Sequence, residues 1–178
     1  MARLLLILTL LIASLPAAAQ HADAPIQQLL QKHADQLAKP SRTKIAPTID
    51  AIAGSGLPEA QTVLRKWQDK ELWRNTETGL FIWAEEIDRD TIRGFDFAGD
   101  RALGELPDDA FEQSKPNSGV RKMIGAALVK FQLTSEDVAT RLTAIDNIER
   151  DAEASHLAPL REAIEAEKSP TLKTRAAR

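Results

Sequence analysis

At 178 residues, with 43% apolar side chains, the chain is long enough for one modest domain with a core of its own, and it has no cysteine to staple that core. Its 23 basic and 26 acidic side chains are interspersed and sum to −3, which excludes the clustered positive surface that binding to a phosphate backbone requires. No nucleic acid is expected as a partner.

Residues 1–19 read as a secretory signal peptide. Arg3 gives a positive start, residues 4–15 are almost wholly apolar, and Ala17, Ala18 and Ala19 offer a small-residue cleavage site before Gln20. The run is shorter than the roughly 20 residues a membrane-spanning helix needs, with an uncleaved anchor as the alternative. Without the leader the net charge becomes −4, since Arg3 is its only charged residue. The expected location is the periplasm, with membrane association only through a partner or a missing C-terminal part.

Residues 20–178 read as a single domain. Ile26, Leu29, Leu30, His33 and Leu37 recur at intervals of three and four, between Pro25 and Pro40, and predict a first amphipathic helix. His33 has no partner at metal-binding spacing and reads as a half-buried face residue. Ser41 opens a second helix carrying Ile45, Ile49 and Ile52, closed by Gly54-Ser55-Gly56. Pro58 and Glu59 open a third, whose face is Ala60, Val63, Leu64 and Trp67. These two helices make a helical hairpin.

The rhythm then changes. Of the three tryptophans and five phenylalanines, only Phe131 lies outside residues 67–111. Short apolar runs at 72–74, 80–84, 92–97 and 102–106, parted by polar turns, predict a β insert over about residues 72–106. Leu80, Ile82 and Ala84 alternate with Phe81 and Trp83, so the second strand is apolar on both faces. Pro107, Asp108, Asp109 and Phe111 read as the helical turn that ends the insert. After Pro116 and Gly119, Val120, Ile124, Ala127, Leu128 and Phe131 predict another helix.

The last part repeats the first. At an ungapped offset of 96, Ile49, Asp50 and Ile52 fall on Ile145, Asp146 and Ile148, Leu64 and Arg65 on Leu160 and Arg161, and Glu71 on Glu167. A second hairpin is thus expected, capped by Thr134 or Ser135, with Val138, Leu142, Ile145 and Ile148 on one stripe and Leu157, Leu160 and Ile164 on the next. Thr174 and Arg175 fall on Thr140 and Arg141 at an offset of 34, so that Ser169-Pro170 would begin a third repeat. The fold class expected is mainly α with a small β insert: HEAT-like helical hairpins flanking a short antiparallel sheet.

Chemistry is sparse. Glu85, Glu86, Asp88 and Asp90 crowd one turn but lack the alternation, central glycine and closing glutamate of a calcium loop, and read as a solvated acidic turn. Ser55 belongs to a helix stop and not to a hydrolase elbow, His21 falls in the mature terminus, and His156 opens a helix. No catalytic residue, cofactor or metal is expected. The aromatic group Trp73, Phe81, Trp83, Phe95 and Phe97 fills the seam between sheet and helices, or else exposes one or two rings as anchors for a protein partner, with Trp73 and Trp83 the candidates.

The order of parts, with Leu103-Gly104-x-Leu106-Pro107-x-x-Ala110 and Asn117-x-x-x-Arg121 as its most specific motifs, resembles the periplasmic N-terminal extension of the urea ABC transporter permease UrtB, of the branched-chain amino-acid permease class. Ser118 stands where that family often has a second asparagine. The resemblance covers about residues 26–178 and implies a HEAT-like domain on the outer face of a urea importer, without the permease part. It implies no catalytic or substrate-binding residue. The functional expectation is a non-catalytic periplasmic interaction module that meets the urea-binding protein or permease subunits of the ABC transporter. The alternative is a free-standing periplasmic HEAT-like scaffold or adaptor unrelated to transport, and an unrecognised hydrolase is a third reading.

Overall fold

The computed structural model describes residues 23–150, 152 and 154–177, so the leader read at residues 1–19 and His21 lie outside the described residues. The first expected helix is two: α1 (Pro25–Lys32) and α2 (Ala34–Ala38), parted at His33, which leaves helical geometry at φ −107° and ψ 15°. The break turns the chain so that Ile26, Leu30 and Leu37 still reach one core. α3 (Ala46–Ala53) starts later than Ser41, because residues 41–44 form a separate turn in which the Ser41 carbonyl accepts from Lys44 and Ile45. α4 (Ala60–Gln68) buries Ala60, Val63, Leu64 and Trp67, the four positions its spacing predicts. Between α3 and α4 the chain reverses through Gly56, whose φ of +70° suits a residue without Cβ.

Five antiparallel strands follow: β1 (Leu72–Asn75), β2 (Phe81–Glu86), β3 (Thr91–Phe95), β4 (Ala102–Pro107) and β5 (Phe111–Gln113). Their order across the sheet is β4-β3-β2-β1-β5. The insert therefore runs past residue 106. The expected helical turn is a 3-10 turn, Asp108–Ala110, and Phe111 after it opens a strand that pairs Asn75↔Phe111 and Trp73↔Gln113.

This connection dictates the sheet's shape. β4 and β5 are opposite edges, which in a flat sheet would stand about 19 Å apart. The short link from Pro107 to Phe111 spans at most about 14 Å. The sheet must curl, and the link is tied to both sides, with the Asp108 N–H donating to the Asp90 carbonyl (3.1 Å) and the Thr76 N–H to the Ala110 carbonyl (3.0 Å). The sheet is thus a four-stranded meander whose fifth strand returns beside the first through a 3-10 turn.

Curling gives the sheet two apolar faces. Trp73, Ile82, Ala84 and Ile92, with Leu106 and Phe111, gather as one cluster contributed by all five strands. Leu72, Phe81, Trp83 and Phe97 face the other way and join α1–α4 and the start of α5 (Ser118–Leu133) in the main core. The alternation along β2 is what divides its side chains between them.

α5 is the central helix: α3, α4, α6 (Val138–Arg150) and α7 (Leu157–Ala166) all pack on it. Its first half lies in the main core through Val120 and Ile124. Its end reaches a second cluster of Leu133, Ala144, Ile145, Ile148 and Leu172, the last from α8 (Pro170–Ala176). The cap of α6 is Asp137 and not Thr134 or Ser135, since its carboxylate accepts from the Thr140 N–H (2.8 Å) and hydroxyl (2.7 Å). Val138 and Leu157, expected on buried stripes, are each 52% exposed at the ends of their helices. α3 and α4 pack as a hairpin, whereas α6 and α7 lie chiefly against α5 and less against each other. The architecture is mixed α/β, helices around a five-stranded antiparallel sheet.

Candidate functional site

Trp73 and Trp83, the candidate anchors, are 5% and 9% exposed. They lie on opposite faces of the sheet and are not brought together. Trp73 fills the sheet's inner cluster beside Ile82, its partner in register, and its indole N–H has no hydrogen-bond partner among the described residues. Trp83 packs into the main core. Phe95 stacks on one face at 3.9 Å between ring centres, the Lys66 ammonium sits 3.6 Å from the ring centre, and the indole N–H donates to Asp100 (3.1 Å). Lys66 also pairs with Glu71 at 2.7 Å, so the cation that covers Trp83 is itself held in place. Buried to this degree, Trp83 packs between sheet and helices and Trp73 inside the sheet's own cluster. Both act here as packing residues.

Two buried polar groups join sheet to helices. Gln27 of α1, 2% exposed, donates to the Phe81 carbonyl (2.6 Å) and accepts from the Phe81 N–H (2.9 Å), replacing a neighbouring strand where β2 begins beyond the end of β3. Ser114, 3% exposed, accepts from the Trp67 indole N–H (2.8 Å) and donates to the Leu37 carbonyl. The sequence hides both. Gln27 lies next to Ile26 on an otherwise apolar helix face, and a lone serine after a three-residue strand carries no pattern.

The residues singled out for chemistry are scattered. Ser55 donates to the Ile52 carbonyl (2.8 Å) within the turn after α3, and His33 shares a 3.3 Å hydrogen bond with Thr48. Asp88 accepts from the Asp90 N–H in the acidic turn (3.0 Å), and among the described residues no three His, Cys, Asp or Glu side chains gather as metal ligands do. Farther on, the guanidinium of Arg141 binds both carboxylate oxygens of Glu167 (2.8 and 3.2 Å) and also donates to the Ser135 and Glu136 carbonyls. That guanidinium, followed by the Ser169 N–H, holds the Glu167 carboxyl below the usual glutamate range. The Thr140 hydroxyl and N–H do the same for Asp137.

What the fold does assemble is a groove. α5 forms its floor with Met123, Ala126, Ala127, Lys130 and Phe131, α3 one bank with Ala46, Asp50 and Ala53, and α7 the other with Ala158, Pro159 and Glu162. Its volume is about 520 Å³, within the range of binding clefts. Small side chains make it: five alanines and Gly54 line it, so the backbones of three helices approach whatever lies within. The Lys130 ammonium reaches across to Glu162 (2.6 Å). Sequence spacing gives α5 one stripe of Val120, Ile124, Ala127, Leu128 and Phe131, of which Ala127 and Phe131 line the groove. Met123 and Ala126, beside that stripe, were the missed signal, since they widen the apolar arc of the helix.

Comparison with known proteins returned no match to any family model, curated protein or solved structure. The motif residues behind the family resemblance have structural roles. Gly104, at φ +89°, faces Gly94 across the β3–β4 ladder, and a Cβ on Gly94 would stand 2.6 Å from the Leu106 side chain. Asn117 caps α5 by accepting from the Val120 N–H (3.0 Å).

Proposed function

We propose that the chain is a non-catalytic, exported interaction module associated with a urea-type ABC importer, docking its periplasmic binding protein or bracing its permease. The observation that carries the interaction role is the groove over α5, where Met123, Ala126, Ala127 and Phe131 stay half-buried between α3 and α7. Half-exposed apolar surface rimmed by charged residues is the usual mark of an interaction site. The choice of an importer as the partner, and the periplasm as the place, rests on the leader-like residues 1–19 and on the motifs at 103–110 and 117–121. The finer description of the helices as HEAT-like rests on the offset of 96, which places buried Ile49 and Ile52 on buried Ile145 and Ile148. Among the described residues no helix is long and apolar enough to cross a membrane.

Affinity-tagged chain expressed with a urea-type importer tests the proposal. Recovery of the permease or the binding protein in stoichiometric amount is the expected result. Recovery of neither, with the chain folded, would overturn it in favour of a scaffold outside transport.

A further inference from the structure

We infer that the groove between α3, α5 and α7 accepts one amphipathic helix of a partner protein, with an apolar stripe of small side chains flanked by lysine or arginine. This deepens the interaction-module reading and rests on it. Three features of the groove select that occupant. Its floor, Met123 through Phe131, lies along the α5 axis over about 12 Å, a little over two helical turns, so it matches a rod laid lengthwise. Its walls are rich in small residues, Ala46, Ala53 and Gly54 on one bank and Ala158 on the other, and small residues are what let one helix backbone settle against another at close range.

The charges at the rim choose the sign of the partner. Asp50 stands on the α3 bank and Glu162 on the α7 bank, so an acidic group borders the apolar floor on each side. Lys130 neutralises Glu162 at 2.6 Å, but both members of that pair are more than half exposed, and such pairs re-form readily with a competing cation. Asp50 is exposed on its bank. A helix bearing cations beside its apolar stripe pairs with Asp50 and competes with Lys130 for Glu162, while one bearing carboxylates would meet repulsion at Asp50.

Methyl NMR on the full chain tests this with two synthetic amphipathic helices of about five turns, one with an alanine stripe flanked by Lys and one with each Lys replaced by Glu. The Lys peptide is expected to shift the Met123, Ala126 and Ala127 methyl signals saturably, and the Glu peptide to leave them in place. Asp50→Lys, an exposed change that leaves packing intact, should weaken the Lys peptide about three- to tenfold, and Ala126→Arg should abolish its binding. Equal binding of both peptides, shifts spread away from the groove, or an unchanged affinity in Asp50→Lys would overturn the inference. So would methyl shifts that grow with protein concentration alone, since a second copy would then be the occupant. If Asp50→Lys and Ala126→Arg still co-purify with the importer, the groove assignment fails while the importer reading stands. If the Lys peptide binds but wild-type chain recovers no importer component, the reverse holds.

Discussion

Trp67 and Leu172 lie in the two helical cores of this chain, and their surroundings differ in kind. Trp67 is fully buried among α1–α5 and the sheet, with aliphatic side chains around it and Ser114 meeting its one polar atom. Leu172 belongs to a far smaller cluster whose elements are also bound by charge: Arg141 to Glu167, Lys130 to Glu162, and Arg175 to Asp146 and Glu149. One core is held by apolar area and satisfied polar atoms, the other in part by ion pairs at its rim. Area burial is insensitive to salt and pH, whereas ion pairs are not. α5 belongs to both cores, and the groove opens between α3 on one side of it and α7 on the other.

The strongest way to break that contrast is Trp67→Ala, which should cost about 3–5 kcal/mol, as large-to-small changes at fully packed aromatic sites do. Urea unfolding followed by circular dichroism measures it, and a loss below about 1 kcal/mol would mean that the first core is no tighter than the second. Gln27→Leu is a finer probe. It keeps volume but removes the amide that pairs with Phe81, leaving a backbone N–H and carbonyl buried without partners, for an expected loss of about 2–4 kcal/mol. A neutral effect would show that water or a shift of α1 replaces the pair.

Much of this first core was legible because the code there is local and periodic. Ala60, Val63, Leu64 and Trp67 follow helical spacing, Phe81 to Ala84 alternate, and both patterns survive folding because the faces they define are the faces buried. β5 was hidden by its length: Phe111–Gln113 becomes a strand only because curling brings β1 alongside it. Val138 and Leu157 misled because periodicity names a face but cannot say whether a neighbour reaches the end of it. The groove was hidden for the same reason. Ala127 reads as one position of a core stripe and Ala126 carries no signal, and only the gap between α3 and α7 gives them a surface.

The second core offers the smallest and most selective effect. Arg141→Gln removes the bidentate partner of Glu167, whose side chain is 8% exposed, and should cost about 1–2 kcal/mol. Acid should imitate it. Glu167 and Asp137 both titrate below their ordinary values in the folded chain, so folding binds fewer protons than unfolding does near those values. Their stabilisation is complete above the unfolded carboxyl range, about pH 4–4.5, and fades as pH falls through the lower folded values. Hydrogen exchange at pH 7 and pH 3.5 separates the two cores. Amides of α6 and α8 should lose protection at the lower pH well before those of α4 and β2, and in Arg141→Gln the α6 and α8 amides should already be less protected at pH 7. Equal loss across α4, β2 and α8 would mean that the chain unfolds as one unit and that charge at the rim of the second core does not set its stability.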